Sequence, residues 1–189
     1  MKMTGERRLN APQAEVWQKL NDVEVLKRCI PGCQSLEQTS ENQLKAVVAL
    51  KIGPISARFT GDVTLSDLDP PNGYRISGSG KGGPAGAASG GANVRLEPDG
   101  PGTRLSYDVD ARVTGKIAQL GARLIDATAA NLAEKFFEKF TAEVETTTQP
   151  ETTPPATSHS ATTIAGLKPW QIAAGIAVLA ILAYLTVGT

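Results

Sequence analysis

Few side chains in this chain could do chemistry, and their spacing argues against most reactions. The single histidine, His159, sits in a run of Thr, Ser and Pro. A nucleophile needs its base within hydrogen-bond reach, so Ser/His and Cys/His catalysis and histidine-based metal sites are not expected. Cys29 and Cys33 are spaced C-x3-C. That is not the redox CxxC spacing, and two thiols cannot complete a four-ligand zinc site, so they read as reduced and packed. Gly78-x-Gly80-x-x-Gly83 fits a dinucleotide pattern, but Pro84 and more glycines follow where a helix must begin. Lys81 precedes Gly82 rather than Ser or Thr, which excludes a phosphate-cradling loop. Asp67/Asp69 and Asp108/Asp110 lie two apart on predicted strands, opposite the apolar positions. They read as a solvated sheet surface rather than acid/base pairs. Thr128 and Asn131 fall near the apolar stripe of a predicted helix, where a polar group could hydrogen-bond a ligand carbonyl. The competing reading is a Thr128 hydroxyl bonded to the carbonyl four residues back, with Asn131 on an exposed flank.

The charges divide the chain into segments. Residues 1–145 hold 18 of its 19 basic and 18 of its 19 acidic side chains, with no basic excess for nucleic acid. Residues 146–168, TTTQPETTPPATSHSATTIAGLK, cannot bury enough apolar surface to offset ordering entropy and are expected to form a disordered linker. Residues 169–189 are expected to form a single C-terminal transmembrane helix. Trp170 to Val187 carries no charge, and as a helix it would be about 27 Å long, enough to cross a hydrocarbon core. Ile172, Ile176, Leu179 and Leu182 would face lipid, with Trp170 and Tyr184 towards the two headgroup layers. The opening MKMTGERRLNAPQ has no apolar stretch, so neither a secretory signal nor a GPI route is expected. With Lys168 just before the span, the expectation is a tail anchor in the cytoplasmic membrane, its N-terminal domain facing the cytoplasm.

Within residues 1–145 the hydropathy period locates the elements. A strand at about Lys2–Leu9 leads to Pro12, which suits a first helical position. A helix carrying Val16, Trp17 and Leu20 follows, then a second at about Val23–Cys29. About six strands come next, with strict alternation in Leu44, Ala46, Val48, Leu50, Ile52, in Ile55, Ala57, Phe59, Gly61, Val63, Leu65, and in Leu105, Tyr107, Val109, Ala111, Val113. Gly53-Pro54, Pro70-Pro71-Asn72-Gly73 and Pro98-Asp99-Gly100-Pro101 supply hairpin turns. From about Lys116 the period becomes 3.6, predicting one helix of roughly 28 residues on the covered face of the sheet. The fold class is α+β.

Bulk is missing where this helix must be met. The hairpin GYRISGSGKGGPAGAASGG offers Tyr74, Ile76, Gly78, Gly80 on one strand and Gly86, Ala88, Gly90, Ala92, Val94, Leu96 on the other. Either the sheet curls tightly around the helix or a cavity remains, with a flexible, poorly packed hairpin as the competing reading. An apolar cavity destabilises in proportion to its volume, which makes a filled pocket the more economical reading. Alternation and helical phase would line it with Val48, Leu50, Ile52, Ile55, Phe59, Ile76, Gly78, Gly80, Tyr107, Val109, Leu120, Leu124, Thr128 and Leu132.

This order of elements resembles the helix-grip fold of the START/Bet v 1 (SRPBCC) superfamily, in which a curved antiparallel sheet wraps a long C-terminal helix around an apolar cavity. Particular stretches are similar to the carbon monoxide dehydrogenase G-subunit family: Leu26-Lys27-Arg28-Cys29-Ile30-Pro31-Gly32-Cys33, Lys51-Ile52-Gly53-Pro54-Ile55 with Ala57-x-Phe59-x-Gly61, the glycine-rich hairpin, and Gly115-x-Ile117-x-x-Leu120-Gly121. The resemblance covers about residues 1–145. It implies a non-enzymatic accessory protein that brings aerobic molybdenum carbon monoxide dehydrogenase to the membrane. It also implies a respiratory quinone, ubiquinone or menaquinone, bound non-covalently in the cavity for electron delivery to the respiratory chain. Competing expectations are a purely structural anchor or assembly factor without ligand, a lipid-binding helix-grip protein for another partner, and an enzyme like some helix-grip relatives. The last would need an inward acid/base set, and the inward positions offer little beyond Tyr107.

Overall fold

Strands form where alternation places them. The computed structural model describes residues 2–145, in the order β1 (Lys2–Leu9), α1 (Gln13–Leu20), α2 (Val23–Cys29), β2 (Cys33–Ser40), β3 (Gln43–Ile52), β4 (Ile55–Asp69), β5 (Gly73–Lys81), β6 (Ala87–Asp99), β7 (Gly102–Thr114) and α3 (Ala122–Glu145). Short 3-10 turns, Gly83–Ala85 and Lys116–Leu120, follow β5 and β7. The linker and membrane span expected over 146–168 and 169–189 lie outside the described residues. No helix among the described residues is long and apolar enough to cross a membrane.

The strands form one curved antiparallel sheet in the order β1-β7-β6-β5-β4-β3-β2. Each of β2 to β7 pairs with its sequence neighbour, and β1 closes onto β7. One face is covered by the helices, so the alternating residues Leu44, Ala46, Val48, Leu50 and Ile52 of β3 are all buried while Lys45, Ala49 and Lys51 are exposed. The turns fall where Gly and Pro were expected. Gly53 and Pro54 join β3 to β4, with Gly53 at φ +54. The Asp67/Asp69 pair departs from regular alternation: the β4–β5 register slips between Ser66 and Asp69, and Asp67 takes φ +51. Both carboxylates are nonetheless exposed, as are Asp108 and Asp110.

Two helix starts differ from expectation. Pro12 is the N-cap of α1 rather than its first residue, because its ψ of 146 is extended; its carbonyl accepts from the Glu15 and Val16 amides at 3.0 Å. α2, by contrast, begins at Val23 as expected, capped by Asp22, whose carboxylate accepts from the Glu24 and Val25 amides at 2.9 and 3.1 Å. The long helix does not begin at Lys116. Gly115 and Gly121 take φ of +95 and +84, outside helical space, and the segment between them tightens into a 3-10 turn. α3 therefore has 24 residues, about 36 Å of helix.

The C-terminal half of α3 is fixed in place. Phe136, Phe137, Phe140 and Val144 join the main core, with Phe136 and Phe140 stacked at 5.5 Å and Tyr107 stacked on Phe137 at 5.5 Å. Arg28 of α2 grips Glu143 with two hydrogen bonds of 2.7 and 2.8 Å, and Lys139 donates to the Arg28 carbonyl at 3.2 Å. Asn10 donates to Glu145 at 2.8 Å, and Arg7 of β1 pairs with Glu134 while lying 5.7 Å from the Phe137 ring centroid.

Gly32 follows α2 at φ +74, and a Cβ there would overlap the Ala49 carbonyl oxygen. Gly100 at φ +63 faces open space. Gly100→Ala is expected to cost about 1–2 kcal/mol from its left-handed backbone alone. Gly32→Ala adds a backbone clash and should cost at least ~3 kcal/mol. Urea unfolding of the two variants checks the difference.

Candidate functional site

The interior between sheet and α3 is built from two unequal ends. At one end the phenylalanines of α3 meet α1, α2 and the strands in a single buried cluster, which also takes in Val48, Phe59, Ile76, Ala92 and Val109 of the sheet. At the other, Ile125 and Ala129 are buried but belong to a separate cluster, in which Met3 is the apolar neighbour among the described residues. The covered face of the central strands carries Gly61 on β4, Gly78 and Gly80 on β5, and Ala88, Gly90 and Ala92 on β6. The register sets these side by side: Gly61 opposite Gly80, Gly80 opposite Ala88, Gly78 opposite Gly90, and Ile76 opposite Ala92. Side chains reaching from the sheet towards the first half of α3 are therefore short in these rows.

The expected lining residues fall into three groups. Val48, Leu50, Ile52, Phe59, Ile76, Gly80 and Val109 are buried on the concave face. Ile55, Gly78, Tyr107, Leu120, Thr128 and Leu132 are half-buried. Leu124 is 39% exposed, and its Cδ2 would lie 3.0 Å from a Cβ built at Gly53. It thus bridges the start of α3 and the β3–β4 turn. The Thr128 hydroxyl donates to the Leu124 carbonyl at 2.8 Å, the back-bonded arrangement, and Asn131 is exposed.

Two aromatic rings occupy space that glycines leave. Phe59 packs over Gly82 and Tyr107 over Gly5, and a Cβ at either glycine would overlap the ring. Burial raises the Tyr107 phenol above its ordinary value against the opposing charge of Arg7, so it stays protonated and can donate a hydrogen bond. The contribution of β1 was missed at the level of sequence. Met3, Gly5 and Arg7 alternate on the covered side and reach α3, and their period-2 spacing was the available signal. A cleft beside the β3–β4 turn was missed as well. It measures about 620 Å³ and is lined by Pro54–Arg58, Gly82–Ala85 and Lys116. There β4 runs past the end of β5, since the β4–β5 pairing begins only at Thr60 opposite Lys81.

Among the described residues no group of three or more His, Cys, Asp or Glu side chains could hold a metal ion. Both cysteines are free thiols. Burial pushes Cys29 up to about 11, helped by Glu143 and opposed by Arg28 and Lys139. Burial likewise raises Cys33, opposed by Lys27.

A sheet curved around a terminal helix, with an apolar interior between them, defines a helix-grip protein. The chain belongs to the carbon monoxide dehydrogenase G-subunit (CoxG) family, whose sequence profile matches residues 5–145. No curated protein matches it. Among solved structures, a conserved protein from Geobacillus kaustophilus is 32% identical, with a TM-score of 0.74 over 78% of this chain and 97% of that one. A protein from Thermus thermophilus is 18% identical, with a TM-score of 0.59 over 79% and 100% of the two chains. The Zhui aromatase/cyclase from a Streptomyces species is 15% identical, with a TM-score of 0.57 over 80% and 98%. The last two likenesses are of fold alone.

Glu143 is held below the ordinary carboxylate value by the hydrogen bond from Arg28. A depressed value means its stabilisation is present above about pH 4.5 and lost as pH falls through the lower folded value. Acid unfolding followed by circular dichroism should therefore be less steep in Glu143→Gln than in the wild-type protein. Iodoacetamide at neutral pH should label half-buried Cys33 before buried Cys29, and both far more slowly than a free thiol, as mass spectrometry of tryptic peptides would show.

Proposed function

We propose that this protein is a non-enzymatic, membrane-associated accessory protein of aerobic molybdenum carbon monoxide dehydrogenase. In this reading it holds a respiratory quinone between the glycine-rich hairpin and the first half of α3. Family membership supports the partner. The carrying observation for the ligand is the divided core: the main buried cluster includes the second half of α3, while Ile125 and Ala129 in the first half stand apart from it.

The residues present suit a prenylated quinone. Val48, Ile76, Ala92 and Val109 give an apolar, partly small-residue wall. An isoprenoid tail gains about 0.8 kcal/mol per methylene buried there, much as it does in a bilayer, so exchange between the two is nearly balanced. The protonated Tyr107 hydroxyl, half-buried beside Gly5 and Phe137, is the donor that a ring carbonyl would accept from in this reading. The quinone when bound would supply the two-electron redox chemistry; the chain's own part is to hold it, shield it from water and carry it between lipid and dehydrogenase. The expected tail anchor in the cytoplasmic membrane would keep the domain within reach of both.

A purely structural anchor is the second reading. It is favoured by Phe59 and Tyr107, whose rings already fill space beside Gly82 and Gly5. The two readings part on one experiment. On the first, organic extracts of full-length protein contain ubiquinone or menaquinone. Gly80→Leu, or Ala92→Leu should the first variant fold poorly, then lowers the extracted amount at least about tenfold by filling the space, while dehydrogenase docking persists. Quinone-free wild-type extracts, with docking intact, would establish the structural anchor instead.

A further inference from the structure

We infer that the cleft between Pro54–Arg58, Gly82–Ala85 and Lys116 is the mouth of the helix grip and a docking surface for anionic lipid, so that the domain meets the bilayer opening-first. The inference rests on the ligand-carrying reading above and names the surface through which that ligand would pass.

Five cations gather at one end of this domain. The chain is neutral overall, yet Lys51, Arg58, Lys81, Lys116 and Arg123 are all exposed and lie on or beside the segments that border this cleft. Lys116 lines the same cleft as Arg58, and Lys81 ends β5 beside it, next to Gly82. Lys51 precedes the Gly53-Pro54 turn, and Arg123 adjoins Leu124, whose side chain reaches Gly53. Among the described residues none of these five cations is ion-paired; Lys19 on α1 and Arg95 on β6 are unpaired as well, so what sets the five apart is their convergence at one end of the domain. The nearby carboxylates offset little of this charge. Asp62 faces Lys45 across the β3–β4 ladder, and Asp110 is 4.0 Å from Lys2. That leaves Asp126, three residues along α3 from Arg123. Five long cationic side chains around an exposed leucine and the Pro54 and Pro84 turns match an anionic interface, with ammonium and guanidinium groups at phosphate level and apolar groups below.

The path of the chain fits this orientation. Glu145 ends α3 beside Asn10, at the end of the sheet opposite the mouth. The 23 residues from 146 to 168 reach about 80 Å when extended, more than twice the roughly 36 Å length of α3. A domain facing the bilayer with its mouth can therefore share that bilayer with the expected C-terminal span.

Hydrogen exchange of full-length protein in nanodiscs tests this. One set of discs is phosphatidylcholine alone, and the other contains about one-third phosphatidylglycerol. Amides in segments 54–58, 82–86 and 116–124 should exchange about tenfold more slowly in the anionic discs only. The effect should vanish at ~1 M salt, where charges are screened within about 3 Å, and in the Arg58→Gln/Lys81→Gln/Lys116→Gln variant. Equal exchange in both lipids, slowing at the opposite end, or slowing that requires added dehydrogenase would overturn the inference; the last would assign the rim to a protein partner. Quinone extracted from the same triple variant separates the two readings. Retained quinone with lost lipid protection supports the rim as a surface distinct from the cavity. Quinone-free wild-type protein with intact lipid protection removes the ligand and leaves the rim.

Discussion

The structure depends on a mismatch between a long apolar helix and the sheet beneath it. α3 presents apolar residues over most of its length, but the strands across from its first half carry Gly61, Gly78, Gly80, Ala88, Gly90 and Ala92 on the covered face. Side chains so short cannot reach a helix packed at ordinary helix-to-sheet distance, and protein interiors do not tolerate unfilled apolar volume cheaply. The chain answers in part with its own rings, Phe59 over Gly82 and Tyr107 over Gly5. A prenylated ligand is the proposed answer for the rest.

A structure that leaves one half of a helix thinly packed must hold the other half firmly, and it does so with several kinds of contact. The Phe136–Phe140 stack fixes α3 in the core. Arg28, Lys139 and Asn10 tie its last turns to α2 and to the end of β1. These exposed contacts, one ion pair and two hydrogen bonds, contribute modestly one by one, but together they hold the direction of the helix. At its far end Leu124 rests by Gly53 and bridges the helix start and the β3–β4 turn. The Gly115 and Gly121 breaks place the start of the helix there, with a 3-10 turn rather than a further helical turn before it.

Much of this was legible in the sequence because period-2 alternation is a direct consequence of covering a sheet on one side. β1, β3 and α2 begin and end where hydropathy and turn residues place them. The start of α3 was not legible from period alone, since Ile117, Leu120 and Leu124 keep helical spacing straight through Gly121; only the backbone angle reveals the break. Pro12 was misplaced by one position because proline is compatible with both the N-cap and the first turn. The interior was legible as a deficit of bulk but not as a shape. Which ring folds over which glycine depends on rotamers of Phe59 and Tyr107, and the reach of Met3 to Ile125 joins residues more than a hundred positions apart. The basic rim was hidden for a similar reason. Lys51, Arg58, Lys81, Lys116 and Arg123 are scattered in sequence and converge only once the hairpins close.

The central claim is that the interior has one closed end and one end able to admit an apolar guest. Methyl NMR during titration with a short-chain quinone addresses it directly. The account predicts shifts at Ile76, Val109 and Ile125, with Leu26 and Val144 unmoved. Shifts absent throughout, or concentrated at Leu26 and Val144, would contradict it.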